Sequence, residues 1–277
     1  MKVKKILQNT LLVLLGLAFL SPVYVMVVNS FKNRSELYEN VLALPKEFSF
    51  EYYYRAMEKM NFLTAFKNSL FITIISVFFI VILSSMTAWM LARTDNKLSK
   101  FIFMAFISTM LIPFQTIMMP LIQLMSNLME ITGIPFLNTR GGLIFMHIGF
   151  NSSMAVFLYH GFVKTIPKSL EEAALIDGAG KFGVFWRVVF PILKPVTVTV
   201  IILNVISIWN DYLLPSLVLK NKELRTIPLS TFYFFGEFTI QWNMAMAGLV
   251  LTIIPVVIFY SLAQKHIIKG IAEGAIK

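Results

Sequence analysis

The chain of 277 residues is 57% hydrophobic and 14% charged, with 26 Phe, 16 Met and no cysteine, and its mean hydropathy is +0.76. Soluble domains carry about a quarter charged residues, so this balance excludes a water-soluble globule, and the missing thiols exclude a disulfide framework, a Cys-ligated metal and a thiol nucleophile. The net charge of +10 does not mark a nucleic-acid surface, because no block of five like charges occurs and the Lys and Arg flank apolar runs, where they set membrane orientation.

A membrane helix needs about 20 mostly apolar residues to cross roughly 30 Å of hydrocarbon. Six stretches meet that need: 11–31, 68–92, 101–125, 141–163, 196–219 and 244–263. The expected fold is all-α, a single polytopic membrane domain over 1–277 with six transmembrane helices. The first apolar run, behind Lys2, Lys4 and Lys5, is too long for a cleaved leader and no A-x-A site follows, so it reads as an uncleaved span. Segments 1–10, 93–100, 164–195 and 264–277 hold 14 Lys and Arg in 64 residues, against 10 in 75 for 32–67, 126–140 and 220–243. An excess of basic residues marks the cytoplasmic side, which places both termini and the loops 93–100 and 164–195 there. The outer segment 32–67 has room for a surface helix around residues 52–59.

The 32-residue loop 164–195 is longer than a membrane connection requires. Pro167 suits the first turn of a helix, Lys168 to Asp177 reads as that helix, and Gly178 stands where a left-handed cap would end it. Leu170, Ala173, Ala174 and Asp177 share one small, mildly apolar face. A second helical segment from Lys181 to Phe190 stops at Pro191. Periodicity leaves open whether this hairpin docks a partner or only links two spans. Gly178, Gly180 and Gly183 spell G-x-G-x-x-G, but a Glu/Ala helix precedes them and no acidic residue follows about 20 positions on, so nucleotide binding is rejected.

Glu172-Ala173-Ala174, then Gly178 three residues on, then Val188-Val189-Phe190-Pro191 after nine more, resembles the E-A-A-x3-G-x9-I-x-L-P motif of ABC importer permeases. The spacing is kept, with Val188 and Phe190 in place of the usual Ile and Leu. The run Ile166 to Ala179 is similar to the version in carbohydrate importers, as are Ile112-Pro113-Phe114-Gln115 and Trp209-Asn210-Asp211-Tyr212-Leu213-Leu214-Pro215. The tail Ile271 to Lys277 resembles the closing segment of maltose-importer-type permeases, second-subunit class. The resemblance implies a type I importer permease in a bacterial cytoplasmic membrane. It also implies docking of the motif helix into a cytoplasmic ATPase through Glu172, Ala173, Ala174, Asp177, Gly178 and Pro191. The implied partners are a homologous second permease subunit, two ABC ATPases, an extracytoplasmic sugar-binding protein and an oligosaccharide substrate.

Asp211 is the single acidic residue within a span, and such a charge faces protein or a water-filled path. With Trp209 and Asn210 it suits a sugar route, and equally a structural node beside Pro215. Gln115, between Pro113 and Pro120, and Asn151-Ser152-Ser153 are the other polar clusters, open to a cavity or to interhelical bonding. The expected translocation path comprises Gln115, Asn151, Trp209, Asn210 and Asp211. His147 and His160 have no carboxylate at metal-site spacing, so no metal and no catalytic residue is expected. No Walker A sequence occurs, so ATP and Mg belong to a partner ATPase and this chain binds no cofactor. The rival readings are an ion-coupled secondary carrier using Asp211 and an ABC permease for a non-sugar solute.

Overall fold

The computed structural model describes residues 2–235 and 241–275, and every described element is helical apart from connecting turns. Four helices are long and apolar enough to cross a membrane, six spans if each of two bent pairs counts as one. The chain divides into two compact units, residues 1–65 with 227–257, and 66–226 with 258–277.

The first unit opens with α1 (Lys2–Asn29), whose residues 4–24 are exposed along the whole apolar run. Two short helices follow, α2 (Arg34–Glu39), capped by the Asn33 side chain, and α3 (Glu51–Lys59), which is the surface helix expected at 52–59. Lys32 folds inward, its Nζ donating to the carbonyls of Asn40 at 2.8 Å and Val41 at 3.3 Å. Burial pushes its ammonium below the usual lysine range, and Glu36 partly offsets that. The start of α4 (Phe62–Arg93), α13 (Ile227–Thr231) and the first part of α14 (Trp242–Ala275) belong to the same unit. Thr231 and Thr252 bond α13 to α14 at 3.0 Å, and Ala56, Met60, Ala65, Phe234 and Ala245 are buried. Residues 236–240 of the outer segment 220–243, and Ile276 and Lys277 of the tail motif, lie outside the described residues.

The second unit is organised by α7 (Arg140–Val163), which buries Leu143, Met146, Val156, Tyr159 and Val163. It packs against α5 (Lys97–Thr109) and α11 (Lys194–Trp209). Hydroxyl bonds tie the three together: Thr109 to Ser153 at 2.7 Å and Tyr159 to Thr197 at 3.0 Å. Phe103 stacks on His160 with ring centroids 3.6 Å apart.

Two expected spans are not straight helices. The stretch 101–125 breaks between Thr109 and Phe114, where α5 meets α6 (Phe114–Thr132) at 108°. The cause is local: a residue before proline is pushed out of helical conformation, and Pro113 is itself the extended N-cap of α6. The stretch 196–219 ends its main helix at Trp209 and restarts as α12 (Leu213–Val218). Residue counts and hydropathy had no means of showing either bend.

Helix α7 begins against backbone. A Cβ on Gly142 would stand 1.7 Å from the carbonyl oxygen of Phe136, whereas one on Gly141 meets nothing within 4 Å. Gly142→Ala is expected to destabilise the fold by about 3 kcal/mol through forced overpacking, and Gly141→Ala to leave it unchanged. Thermal unfolding of the two variants in detergent, followed by tryptophan fluorescence, checks the difference.

Candidate functional site

The cytoplasmic loop expected at 164–195 forms a hairpin. Its first arm, α8 (Lys168–Ile176), starts at Lys168 as expected, with Pro167 as its N-cap. Its end closes as expected. Gly178 has φ +86°, its N–H donates to Leu175 O at 3.1 Å, and Ala179 N–H donates to Ala174 O at 2.9 Å. That pair of bonds is the Schellman arrangement, in which a left-handed glycine satisfies the last helical carbonyls. The motif preceding the glycines is thus a helix, not the strand that dinucleotide binding requires.

The second arm differs from expectation. It runs α9 (Lys181–Val184), a π turn over Phe185–Val189, then α10 (Phe190–Ile192), and it passes through Pro191 before meeting α11 at a 76° bend. Inside an α-helix a proline ring collides with the carbonyl four residues back. The wider π turn, closed by Phe190 N–H to Phe185 O, moves that carbonyl aside.

The face of α8 is divided. Leu170, Glu172, Ala173, Leu175, Ile176 and Asp177 are exposed, and Ala174 is half-buried. Glu171 is buried, at 8% exposure. One of its carboxylate oxygens accepts from Arg93 Nε at 2.8 Å and pairs with Arg93 Nη2 at 2.7 Å, while the other accepts from Trp89 Nε1 at 3.0 Å. Arg93 Nη2 also donates to the carbonyl of Ile166 at 2.9 Å. With side chains only 15% and 11% exposed, this is a buried, charge-assisted pair, and leaving one charge alone there would cost about 3–5 kcal/mol. The ring of Trp89 lies 5.5 Å from that of Phe185 in the π turn. The last turn of α4 therefore grips both arms of the hairpin. Sequence reasoning missed Glu171, Arg93 and Trp89. The available signal was Trp89 and Arg93 four residues apart, on one face at the end of a span.

The expected path residues are distributed unevenly. Asn151 accepts from the Ser207 hydroxyl at 3.1 Å and donates to His147 O at 3.0 Å. Asp211 lies 4.0 Å from His147 Nδ1 and accepts from the N–H of Leu214 at 3.3 Å, capping α12. These residues form a polar seam between α7 and the α11–α12 break. Gln115 and Asn210 are exposed. Trp209 is buried against Phe66, with ring centroids 5.8 Å apart, so its ring offers no open face for stacking. A cavity of about 500 Å³ among α5, α6 and α7 is walled by Phe101, Phe106, Ile117, Leu121, Met125 and Phe150. Its apolar walls do not suit a hydroxyl-rich molecule.

Gly178→Ala places a side chain in the left-handed region, at a cost of about 1–2 kcal/mol. It is expected to loosen the hairpin, whereas Gly180→Ala, at φ −69° with open space around it, is not. Faster cleavage of the loop by protease added to the detergent-solubilised protein, for Gly178→Ala alone, checks this.

Residues 80–273 match the family described as binding-protein-dependent transport system inner membrane component. The chain is 48% identical over 275 residues to the probable starch degradation products transport system permease protein AmyC of Thermoanaerobacterium thermosulfurigenes, covering 99% of this chain and 98% of the relative. It is 34% identical to the melibiose/raffinose/stachyose import permease protein MelC of Bacillus subtilis, covering 92% and 91%. A chain of a bacterial ABC transporter involved in import of the acidic polysaccharide alginate superposes with TM-score 0.78 at 23% identity, covering 95% and 96%. The fold is accordingly that of a type I ABC importer permease, and the motif match, the full-length likeness and the hairpin agree. The chain belongs to the binding-protein-dependent transport system inner membrane components, the non-enzymatic membrane subunits of ABC importers.

Proposed function

We propose that this permease carries an oligosaccharide into the cytoplasm by ATP-driven alternating access. It does so as half of a heterodimer with a homologous second permease subunit, acting over 1–277 as one transport domain with both termini cytoplasmic. Two ABC ATPases dock beneath, an extracytoplasmic sugar-binding protein docks above, and ATP and Mg stay with the ATPases. The observation that carries this reading is the divided face of α8. Leu170, Ala173, Leu175 and Ile176 are exposed at the tip of a loop whose opposite side is held to α4 by a buried ion pair. Exposed apolar residues on a rigidly anchored tip suit a protein socket. The relatives named for starch degradation products and for melibiose, raffinose and stachyose support the sugar class.

Loaded binding protein and ATP together close the ATPase pair, α8 follows its socket, and the membrane helices turn outward to receive sugar; hydrolysis reverses this. Glu172, Ala173, Ala174, Asp177 and Gly178 supply the docked surface and its exit, and Pro191 marks the end of the hairpin. The sugar passes the polar seam of Asn151 and Asp211, with Gln115 and Asn210 as further exposed hydrogen-bonding groups. Trp209 supports that seam from behind.

Because the chain has no cysteine, Ala173→Cys gives a single thiol on the exposed face. A short thiol-to-amine cross-linker in host membranes is expected to join it to a P-loop ATPase, with a yield that changes on adding ATP. Membranes active in uptake of maltotriose or raffinose that never yield an ATPase adduct refute the docking. Asp211→Asn separates the ion-coupled alternative: uptake is expected to remain dependent on ATP and to be insensitive to collapse of the proton or sodium gradient.

A further inference from the structure

Helix α4 has two properties that the other long helices do not combine. It runs 32 residues without Pro or Gly, whereas α1, α6 and α14 each contain Pro and α7 contains four Gly. It is also bonded to a loop at each end. At the cytoplasmic end, Arg93 and Trp89 hold Glu171, and Trp89 lies against Phe185. At the other end, the buried Asn68 donates from one Nδ2 to the carbonyls of Glu223 at 2.8 Å and Arg225 at 3.0 Å. That loop, 219–226, is fixed on its other side by Asn138, whose Oδ1 accepts from the N–H groups of Lys220 at 3.0 Å and Asn221 at 2.9 Å.

From Asn68 to Arg93 the helix rises about 37 Å at roughly 1.5 Å per residue, more than the roughly 30 Å of a membrane's hydrocarbon core. Between these ends its buried side chains mix apolar residues, Ile72, Val77, Ile80, Val81 and Ala88, with small polar ones, Thr73, Ser76, Ser84 and Ser85. The hydroxyls of Thr73, Ser76 and Ser84 have no hydrogen-bond partner among the described residues. With no Pro or Gly to kink it, the helix shifts as one piece, and sliding of packed helices is one of the ways domains change state.

We infer that α4 is a strut joining the ATPase-docking hairpin to the outer loop 219–226, with Glu171, Arg93, Trp89 and Asn68 as positioning residues for coupling. This rests on the importer reading and adds to it which helix carries the movement. A displacement of α8 is passed through Glu171 and Arg93 to α4, and through Asn68 to the outer loop. By reciprocity, a binding protein that displaces the outer loop acts back on the ATPases.

The test uses the whole importer, purified with its partner permease, ATPases and binding protein. Glu171→Gln keeps an acceptor, Arg93→Lys keeps a charge, and Asn68→Ala removes the outer bonds. Each is expected to keep the ATPases bound and basal hydrolysis within twofold of wild type. The stimulation by maltotriose-loaded binding protein should fall about tenfold in each. Glu171→Gln with Arg93→Lys is expected to lose no more than the worse single variant, as for two residues acting in one unit. Leu83→Ala, on the exposed side of α4, should stay within twofold throughout.

Stimulation within twofold of wild type in Asn68→Ala overturns the strut, because the cytoplasmic joint would then act alone. Loss of bound ATPase in the Glu171 or Arg93 variants overturns it also, since the pair would then serve assembly only. If Glu171→Gln does not accumulate, Trp89→Phe, which keeps a ring against Phe185 and removes the Nε1 donor, reads the same joint. A loss of threefold or more supports the strut, and unchanged stimulation overturns it. A wild-type complex that ignores maltotriose and raffinose alike counts against the oligosaccharide reading and leaves the strut to be read with the solute that does stimulate.

Discussion

Two opposite charges taken out of water must stay together, because either one left alone there costs more than the pair. Glu171 and Arg93 are in that position where the hairpin meets the end of α4. Their geometry is demanding: one carboxylate receives two donors from a guanidinium and a third from the Trp89 indole. Satisfying all of them allows α8 a single seat on the end of α4. The rest of the hairpin follows from that seat. With Glu171 turned inward, helical periodicity turns Leu170, Ala173 and Asp177 outward. The Schellman turn at Gly178 then sends the chain back, and Phe185 in the π turn finds Trp89 waiting.

The same economy of polar groups shapes the interior. Helices in a membrane must satisfy their own backbone, so breaks occur only where side chains or protein supply partners. At the α11–α12 break Asp211 caps the restarted helix, and Asn151 with Ser207 bridges to α7. At the α5–α6 break the Thr109 hydroxyl, at the end of α5, bonds that of Ser153 on α7. The polar residues that look like a sugar route in sequence are therefore also the residues that make the broken helices tolerable. The two roles are compatible: a restarted helix leaves exposed groups such as Asn210 near the seam while Trp209 packs behind it on Phe66.

Much of this molecule is legible from its sequence. Apolar length identifies the spans, because hydrocarbon thickness sets a minimum that few soluble segments meet. Helix α8 is legible because caps act through nearest neighbours: Pro167 suits a helix start, and glycine is the residue type at ease at the φ of +86° found at Gly178. The outward placing of Leu170, Ala173 and Asp177 follows from periodicity once Glu171 is known to point in.

What the sequence left open was decided at a distance along the chain. Glu171 and Glu172 are adjacent and chemically alike, and nothing local says which is buried; Arg93, 78 positions away, decides it. Trp209 reads equally as part of a sugar route and as a structural node, and its burial beside Phe66, from another helix, is set by the fold alone. The bends of 108° and 76° depend on which neighbours accept the turned helices, and Pro191 passes inside its helix because a π turn opens around it. Composition, capping and spacing act over a few residues and are written in order. Burial of a charge, the covering of a ring and the angle of a break depend on what packs opposite, and only the folded chain brings those partners together.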